Sequence, residues 1–151
     1  MREILPIARR FGTAARGGGS YSISPRIALA GIGSLPPSPL LRASGNAADL
    51  ADQDRLHAAG AVGDVCLRFF DTAGYLVPSA LDDRVVGIDA DTLRKIPRRI
   101  GIAGGQSKHS AIHAAVTGGW VNVLITDTAT AAALLQFEAA AIPDEDDHGG
   151  G

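Results

Sequence analysis

The sequence predicts an α/β fold in which helices flank a parallel β-sheet. Between residues 98 and 139, apolar runs typical of buried strands alternate with helical patterns, and glycines stand where strands pass into helices. Hydrophobic residues make up 46% and charged residues 20% of the 151 residues, which is the composition of a globular domain. Successive strands and helices form βαβ units, and the strands of such units lie parallel.

The folded domain is expected between residues 26 and 142. Residues 1–25 begin with a short helical pattern that Pro6 interrupts, and they continue into a stretch rich in glycine and serine. This composition predicts an irregular N-terminal segment. Residues 143–151, PDEDDHGGG, are acidic and glycine-rich and are expected to form a solvated tail.

The first half of the domain is predicted to contain three strands and one helix. RIALAGIGS has the pattern of a short buried strand that ends on Gly31 and Gly33. A helical pattern follows from about Ala47 to Ala59 and stops at Gly60, a residue common just after helices. The β-branched and aromatic runs VGDVCLRFFD and DRVVGID then predict two neighbouring strands, joined through a segment with turn residues.

The second half is predicted to alternate regularly. Asp89 is placed to cap a short helix, DADTLRKI, which must end before Pro97 because the residue before a proline avoids helical geometry. RRIGIAGG is a strand that runs into a pair of glycines, and SKHSAIHAAV is a helix with an apolar face. VNVLITD and TATAAALLQFEA predict a further strand and a final helix.

The glycine pair, Gly104 and Gly105, marks a candidate anion site. Ligands of open parallel sheets bind beyond the carboxyl ends of the strands, where free N–H groups at helix starts favour negative charge. Lys108 would add a positive charge there. A tight strand-to-helix turn with a solvated lysine explains the same residues without a ligand. The motif matches neither GxGxxG nor GxxxxGK[ST], so a dinucleotide or P-loop function is not supported.

Charge and cysteine content restrict the possible classes of protein. The formal net charge of -2 provides no basic field to attract nucleic acid. Cys66 is the single cysteine and lies in an apolar run, so we expect a buried thiol in a reducing cytoplasm. No apolar run approaches the roughly 20 residues that a membrane helix needs.

The titratable residues do not form a recognisable catalytic or metal motif. His109 and His113 have the spacing of a zinc pair, but the glutamate of HExxH and a third ligand are missing, so surface histidines are expected. Several aspartates could act as a general base, yet Asp89 and Asp127 are placed as helix caps. We therefore predict no catalytic residue, no metal and no cofactor.

Three long blocks of the sequence resemble one known family. They are GIGSLPPSPLL, AAGAVGDVCLRFFDTAGYLVPSALDDRVVGID and RRIGIAGGQSKHSAIHAAVTGGWVNVLITDTATAAALL, in this order. Together they resemble the C-terminal part of the sugar-binding domain of SorC-type (DeoR-like) bacterial transcriptional regulators. The resemblance implies a Rossmann-like fold related to sugar-phosphate isomerases and deaminases. It also implies that a sugar or phosphosugar effector alters the oligomer and the DNA affinity of an attached helix-turn-helix domain.

The resemblance also implies site residues. Motifs of the family fall on Gly63 to Val65, on Ala103 to Lys108 and on Leu124 to Asp127. A carboxylate such as that of Asp64 can accept hydrogen bonds from sugar hydroxyls, and a cation can pair with phosphate. The predicted ligand-binding residues are Gly31, Gly33, Asp64, Arg68, Gly104, Gly105, Lys108 and Asp127.

The N-terminal residues depart from the family pattern. Neither a helix-turn-helix domain nor the first half of the effector domain is recognisable in residues 1–26. We therefore expect a partial, cytoplasmic effector domain that does not itself bind DNA. Two alternatives remain open: a sugar-phosphate isomerase or deaminase, and a truncated remnant that acts by pairing with a full-length regulator. A homo-oligomer is a further possible assembly.

Overall fold

The computed structural model describes residues 25–36, 49–85 and 87–141, with side chains as far as residue 137. In these ranges the chain forms six strands, four α-helices and one 3-10 turn. Their bounds are β1 (Ile27–Gly31), β2 (Gly33–Ser34), α1 (Leu50–Ala58), β3 (Gly63–Val65), β4 (Arg68–Phe70), α2 (Ala90–Lys95), β5 (Arg98–Ile102), the 3-10 turn (Gln106–Lys108), α3 (His109–Thr117), β6 (Val123–Ile125) and α4 (Thr128–Ala141). None of the helices in the described part of the chain has the length and apolarity to cross a membrane.

The described strands form two small sheets. β1, β5 and β6 form a parallel sheet in the order β1-β5-β6, in which Leu29 pairs with Ile100 and Ile100 with Val123. β2, β3 and β4 form an antiparallel sheet in that order. The chain passes from one sheet to the other at Ile32, the buried residue between β1 and β2. The fold class predicted from the sequence is thus confirmed.

One face of the parallel sheet lies against the main hydrophobic core. At the centre of this core Trp120 is fully buried, with its ring 5.3 Å from that of Phe70. The indole N–H of Trp120 donates to the carbonyl of Gly74 at 2.9 Å, and the guanidinium of Arg94 lies 4.2 Å from its ring. Trp120 therefore joins the loop after β4 to helix α2.

The other face of the parallel sheet is exposed. Its side chains alternate along each strand, and the aliphatic ones include Leu29, which is 66% exposed. We call this surface the open face. It consists of Ile27, Leu29, Ile100, Ile102, Val123 and Ile125, of which only Ile100 is half-buried rather than exposed.

Most of the predicted elements agree with the structure, within one to three residues at their ends. Asp89 caps α2, since its carboxylate accepts the N–H of Thr92 at 2.8 Å, and the helix ends before Pro97 as predicted. Helix α1 begins at Leu50, and the predicted positions 47 and 48 lie outside the described residues. The predicted tail and residues 1–24 of the predicted irregular segment also lie outside them.

Three predictions were wrong. RIALAGIGS is not one strand, because the chain changes sheets at Ile32 and forms β1 and β2. The run DRVVGID contains no strand in its described residues, because VGDVCLRFFD folds back on itself and β3 pairs with β4 instead. Cys66 is exposed rather than buried, because it lies in the turn between these strands. Cys66 and Leu67 both have positive φ, at 56° and 60°, which are the left-handed conformations that tight hairpin turns use.

Candidate functional site

The candidate site lies at the carboxyl edge of the parallel sheet. There β1 passes into Ile32, β5 passes into the glycine pair, and β6 passes into Thr126 and Asp127. This edge is where loops and helix starts of open α/β sheets collect ligands. Seven of the eight residues predicted to bind ligand lie on this edge or on β2 and β3 beside it, and Arg68, on β4, is the exception.

Lys108 connects the two sheets at this edge. Its ammonium donates to the carbonyl of Ile32 at 3.0 Å, so helix α3 begins against the point where the chain changes sheets. Its positive charge also acts on the carboxyl group of Asp64, which lies on the neighbouring strand β3. The half-buried side chain of Lys108 is thus held in place by protein contacts, and the alternative of a solvated first-turn lysine does not describe it.

Asp64 lies directly over Gly33. An added Cβ at Gly33 would lie 2.0 Å from Oδ1 of Asp64, so the carboxylate occupies space that only glycine leaves free. Its Oδ2 accepts the N–H of Leu67 at 2.9 Å, while Oδ1 accepts no hydrogen bond from the described residues. Burial raises the pKa of Asp64, and the Leu67 N–H and the Lys108 charge oppose this increase. The half-buried carboxylate of Asp64 is therefore partly desolvated, and its Oδ1 is free to accept a hydrogen bond.

The glycine pair is bound to the start of α4. Gly105 donates its N–H to Oδ2 of Asp127 at 3.1 Å and to the hydroxyl of Thr130 at 2.9 Å. Asp127 also caps α4, accepting the N–H and the hydroxyl of Thr130 at 2.8 Å each. These donors, those of Thr130 foremost, lower the pKa of Asp127. Asp127 is therefore an exposed carboxylate that holds two loops of the edge together.

Free backbone donors follow Gly105 along the chain. Gly105 has φ 95° and ψ 147°, a conformation that glycine tolerates best, and it turns the chain into Gln106–Lys108. The N–H of Lys108 is satisfied by the carbonyl of Gly105. The backbone N–H groups of Gln106 and Ser107, both exposed, make no hydrogen bond within the described residues. Sequence reasoning placed the free donors at the start of the following helix, and the N–H of Gly105 is used internally.

Arg68 makes its contacts elsewhere. It is 6% exposed and forms an ion pair with Asp82 at 2.7 Å, and it also donates to the carbonyl of Ile88 at 3.1 Å. These contacts anchor the turn-containing segment after β4 to the hairpin. Arg68 was predicted to bind the ligand, but its charge is paired with Asp82 of the protein itself.

Sequence reasoning missed Thr126. Its hydroxyl is buried and has no hydrogen-bond partner among the described residues, and it lies 3.5 Å from where a Cβ on Gly104 would be. A buried polar atom without a partner is uncommon in a folded protein. Thr126 directly precedes Asp127 in the motif LITD. Its residue type alone does not distinguish it from any other threonine near the end of a strand.

The histidines form no metal site in the described part of the chain, where no three His, Cys, Asp or Glu side chains are grouped as ligands. His113 lies beside Phe137, with ring centroids 5.2 Å apart. Phe137 itself remains 46% exposed.

The chain is similar in sequence to one family model and to curated regulators. Residues 23–136 match the family model described as "Putative sugar-binding domain". The chain is 51% identical over 75 residues to the deoxyribonucleoside regulator of Bacillus subtilis, a match that covers 50% of this chain and 24% of that protein. It is 45% identical over 78 residues to the transcriptional regulator LsrR of Escherichia coli K12, covering 51% and 25%. The chain thus spans about a quarter of the length of the curated relatives it matches.

Solved structures give the same result. The full-length sorbitol operon regulator SorC from Klebsiella pneumoniae superimposes with a TM-score of 0.64 at 35% identity, covering 72% of this chain and 35% of that one. A sugar-binding domain of a transcriptional repressor from Vibrio fischeri gives a TM-score of 0.66 at 28% identity, covering 76% and 46%. The chain therefore belongs to the family of sugar-binding domains found in SorC- and DeoR-type transcriptional regulators.

Proposed function

We propose that this domain binds a phosphorylated sugar as an effector at the carboxyl edge of its parallel sheet, and that it does not transform it. The observation that carries the proposal is the placement of Lys108, whose ammonium donates to the Ile32 carbonyl and whose charge acts on the Asp64 carboxyl group, beside the free backbone N–H groups of Gln106 and Ser107. This arrangement puts donors for an anion and an acceptor for hydroxyl groups within one small region.

The two halves of the ligand would bind to different groups. A phosphate would accept from the N–H groups of Gln106 and Ser107 and pair with Lys108, because helix starts and ammonium groups both favour anions. The free Oδ1 of Asp64 would accept from a sugar hydroxyl. Gly33 and Gly104 would admit the ligand close to the backbone, and Asp127 would hold the glycine loop in shape.

A binding role suits these residues better than catalysis. The carboxylates of Asp89 and Asp127 are engaged as helix caps, and Asp82 is paired with Arg68. The half-buried carboxylate of Asp64 accepts only the Leu67 N–H, and its free oxygen is suited to a hydroxyl. We accordingly propose a sensing domain of a bacterial regulator that acts in the cytoplasm. Its assembly, as a homo-oligomer or with a full-length homologue, is part of the same proposal.

The test is thermal unfolding of the purified chain with a panel of free sugars and sugar phosphates. A ligand that binds only the folded state stabilises it by about 2.7 kcal/mol at 100 times its dissociation constant. We expect one phosphosugar to raise the melting temperature more than its unphosphorylated counterpart and more than inorganic phosphate. A cooperative transition that no sugar shifts would contradict effector binding and favour the remnant hypothesis. Conversion of the sugar phosphate during the assay would favour the isomerase or deaminase instead.

A further inference from the structure

A cavity of about 210 Å³ lies between helix α1 and the loop that follows β4. We call it the α1 cavity. None of the eight residues predicted to bind the effector lines it. Part of its wall is apolar and is formed by Leu56, Ala59, Pro78 and Leu81, of which Leu56 and Leu81 belong to the smaller hydrophobic cluster. The α1 cavity is therefore separate from the carboxyl edge of the parallel sheet.

The two walls of the α1 cavity are held in place by contacts within the protein. Arg84 donates to Oδ2 of Asp52 at 2.8 Å and so ties the loop after β4 to helix α1. The N–H of Ser79 donates to Oδ2 of Asp82 at 2.8 Å, and Asp82 is paired with Arg68 of β4. Small-molecule sites are usually formed before the ligand binds, and the α1 cavity meets this condition.

The charges beside the α1 cavity favour an anion. Asp52 is 6% exposed, and its two oxygens accept from Arg55 at 3.1 Å and from Arg84 at 2.8 Å. One carboxylate thus faces two guanidinium groups, which leaves one positive charge in excess. Because both oxygens of Asp52 are engaged, the cavity is not suited to a cation.

Free hydrogen-bond donors lie at the polar end of the α1 cavity. A guanidinium has five N–H donors, and Arg55 uses one of them within the described residues. The backbone N–H of Ala80, which also lines the cavity, makes no hydrogen bond in the described part of the chain. A carboxylate can accept two parallel N–H bonds from one guanidinium. The polar end is therefore suited to a carboxylate.

The volume of the α1 cavity limits the size of its ligand. It is smaller than the roughly 300–1,000 Å³ of sites for drug-sized ligands. It equals about seven water volumes of roughly 30 Å³ each, so a ligand of about seven non-hydrogen atoms fits. A sugar phosphate exceeds this size. The apolar wall then requires that most of these atoms be carbon.

We propose that the α1 cavity binds a small organic carboxylate. The carboxylate accepts from Arg55 and from the N–H of Ala80, and the hydrocarbon part packs against Leu56 and Leu81. This site shares no residue with the proposed effector site, so the failure of one proposal leaves the other intact.

The experiment titrates sodium pentanoate, a carboxylate of this size, into the nitrogen-15-labelled full chain and follows the amide chemical shifts. We expect saturable shifts at Ser79 and Ala80, and none at Gln106 and Ser107. Pentanol lacks the charge and acetate lacks most of the hydrocarbon, so each should bind at least about 10-fold more weakly. Shifts that do not saturate, or that are confined to Gln106 and Ser107, would overturn the proposal. Pentanol or acetate binding as tightly as pentanoate would overturn the chemical class of the ligand.

Arg55→Gln should weaken pentanoate binding by about 10-fold, because the ligand loses a charged donor. The side chain of Arg55 is 74% exposed, and Asp52 keeps Arg84 as its partner, so the variant should fold. The matched control is Arg98→Gln, since Arg98 is exposed and its side chain makes no hydrogen bond or ion pair with the described residues. The control should bind pentanoate as the parent does. Equal affinity in Arg55→Gln and the parent would exclude Arg55 and contradict the proposed site.

Discussion

Asp64 illustrates how one side chain can lower stability and still serve binding. Its pKa is raised by burial above the ordinary value of 3.8. The unfolded chain releases this proton near pH 3.8, while the folded chain holds it to higher pH. The contribution of Asp64 to stability therefore falls as the pH rises from 3.8 through the raised pKa, and it remains reduced at neutral pH.

Asp64→Asn should consequently raise the melting temperature at pH 7 and weaken phosphosugar binding. The amide oxygen can still accept the Leu67 N–H, but the buried charge is removed. The gain in stability should vanish well below pH 3.8, where both residues are neutral. Thermal unfolding as a function of pH measures it, with Asp83→Asn as the control because Asp83 is exposed. A loss of stability at pH 7 would contradict this account.

Lys108→Ala should weaken the binding of a phosphosugar by about 1.5–3 kcal/mol, the contribution of one hydrogen bond to a charged group. The domain should still fold, although the contact with the Ile32 carbonyl is lost. Calorimetric titration measures the change, and Lys95→Ala is the matched control because Lys95 is exposed on α2. Equal affinity in Lys108→Ala and the parent would remove Lys108 from the site.

Single residues could be predicted from the sequence only in part. Lys108 was a candidate because a charged residue after a glycine pair at a strand end suggests an anion site, whereas Asp64 and Asp127 were candidates because the family resemblance implied them. The internal use of Arg68 depends on Asp82 and Ile88, which lie 14 and 20 residues further along the chain. Such a partnership is a property of the tertiary structure, and local sequence does not contain it.

At the scale of elements, Gly104 and Gly31, two glycines at strand ends, differ in whether they can accommodate an added side chain. Gly104→Ala would bring a Cβ to 2.3 Å from Oδ2 of Asp127, so the carboxylate must move from Gly105 and Thr130. We expect a loss of about 1–3 kcal/mol in the free energy of unfolding, as for overpacked positions. Gly31→Ala is the control, because no atom lies within 4 Å of the added Cβ. Denaturant unfolding compares them, and equal stability would contradict the predicted clash.

The hairpin was missed because its turn lacks the usual residues. Two-residue hairpin turns normally contain glycine or asparagine, which adopt positive φ readily. Here Cys66 and Leu67 occupy those positions, so the run VGDVCLRFFD resembles one continuous strand. The following run DRVVGID then looked like its partner. The helices were easier to predict, since their caps and glycine stops are local features.

At the scale of the whole molecule, the described residues contain two separate hydrophobic clusters. The larger one surrounds Trp120, and the smaller one joins α1 to the hairpin through Leu56 and Phe69. Leu56→Ala should lower the free energy of unfolding by about 2–5 kcal/mol, because Leu56 is 2% exposed. Leu50→Ala, at a position 75% exposed, should have little effect. Similar losses in both variants, measured by denaturant unfolding, would show that α1 does not pack as described.

The open face also explains a limit of sequence-based prediction. Apolar runs such as IALAG and VLI suggest strands buried on both sides, and that expectation is correct for one side only. The composition of a strand indicates whether its side chains are suited to a buried environment. It does not indicate whether the layer that would cover the strand belongs to the same folded unit.

The pairing of β1 with β5 has a consequence for folding kinetics. Leu29 and Ile100 pair across about 70 intervening residues, whereas β3 and β4 are joined by a two-residue turn. Contacts distant in sequence require a large loss of chain entropy before they form. The hairpin amides should therefore gain protection in pulsed hydrogen exchange before those of β1, and destabilising β1 should accelerate unfolding more than it slows folding.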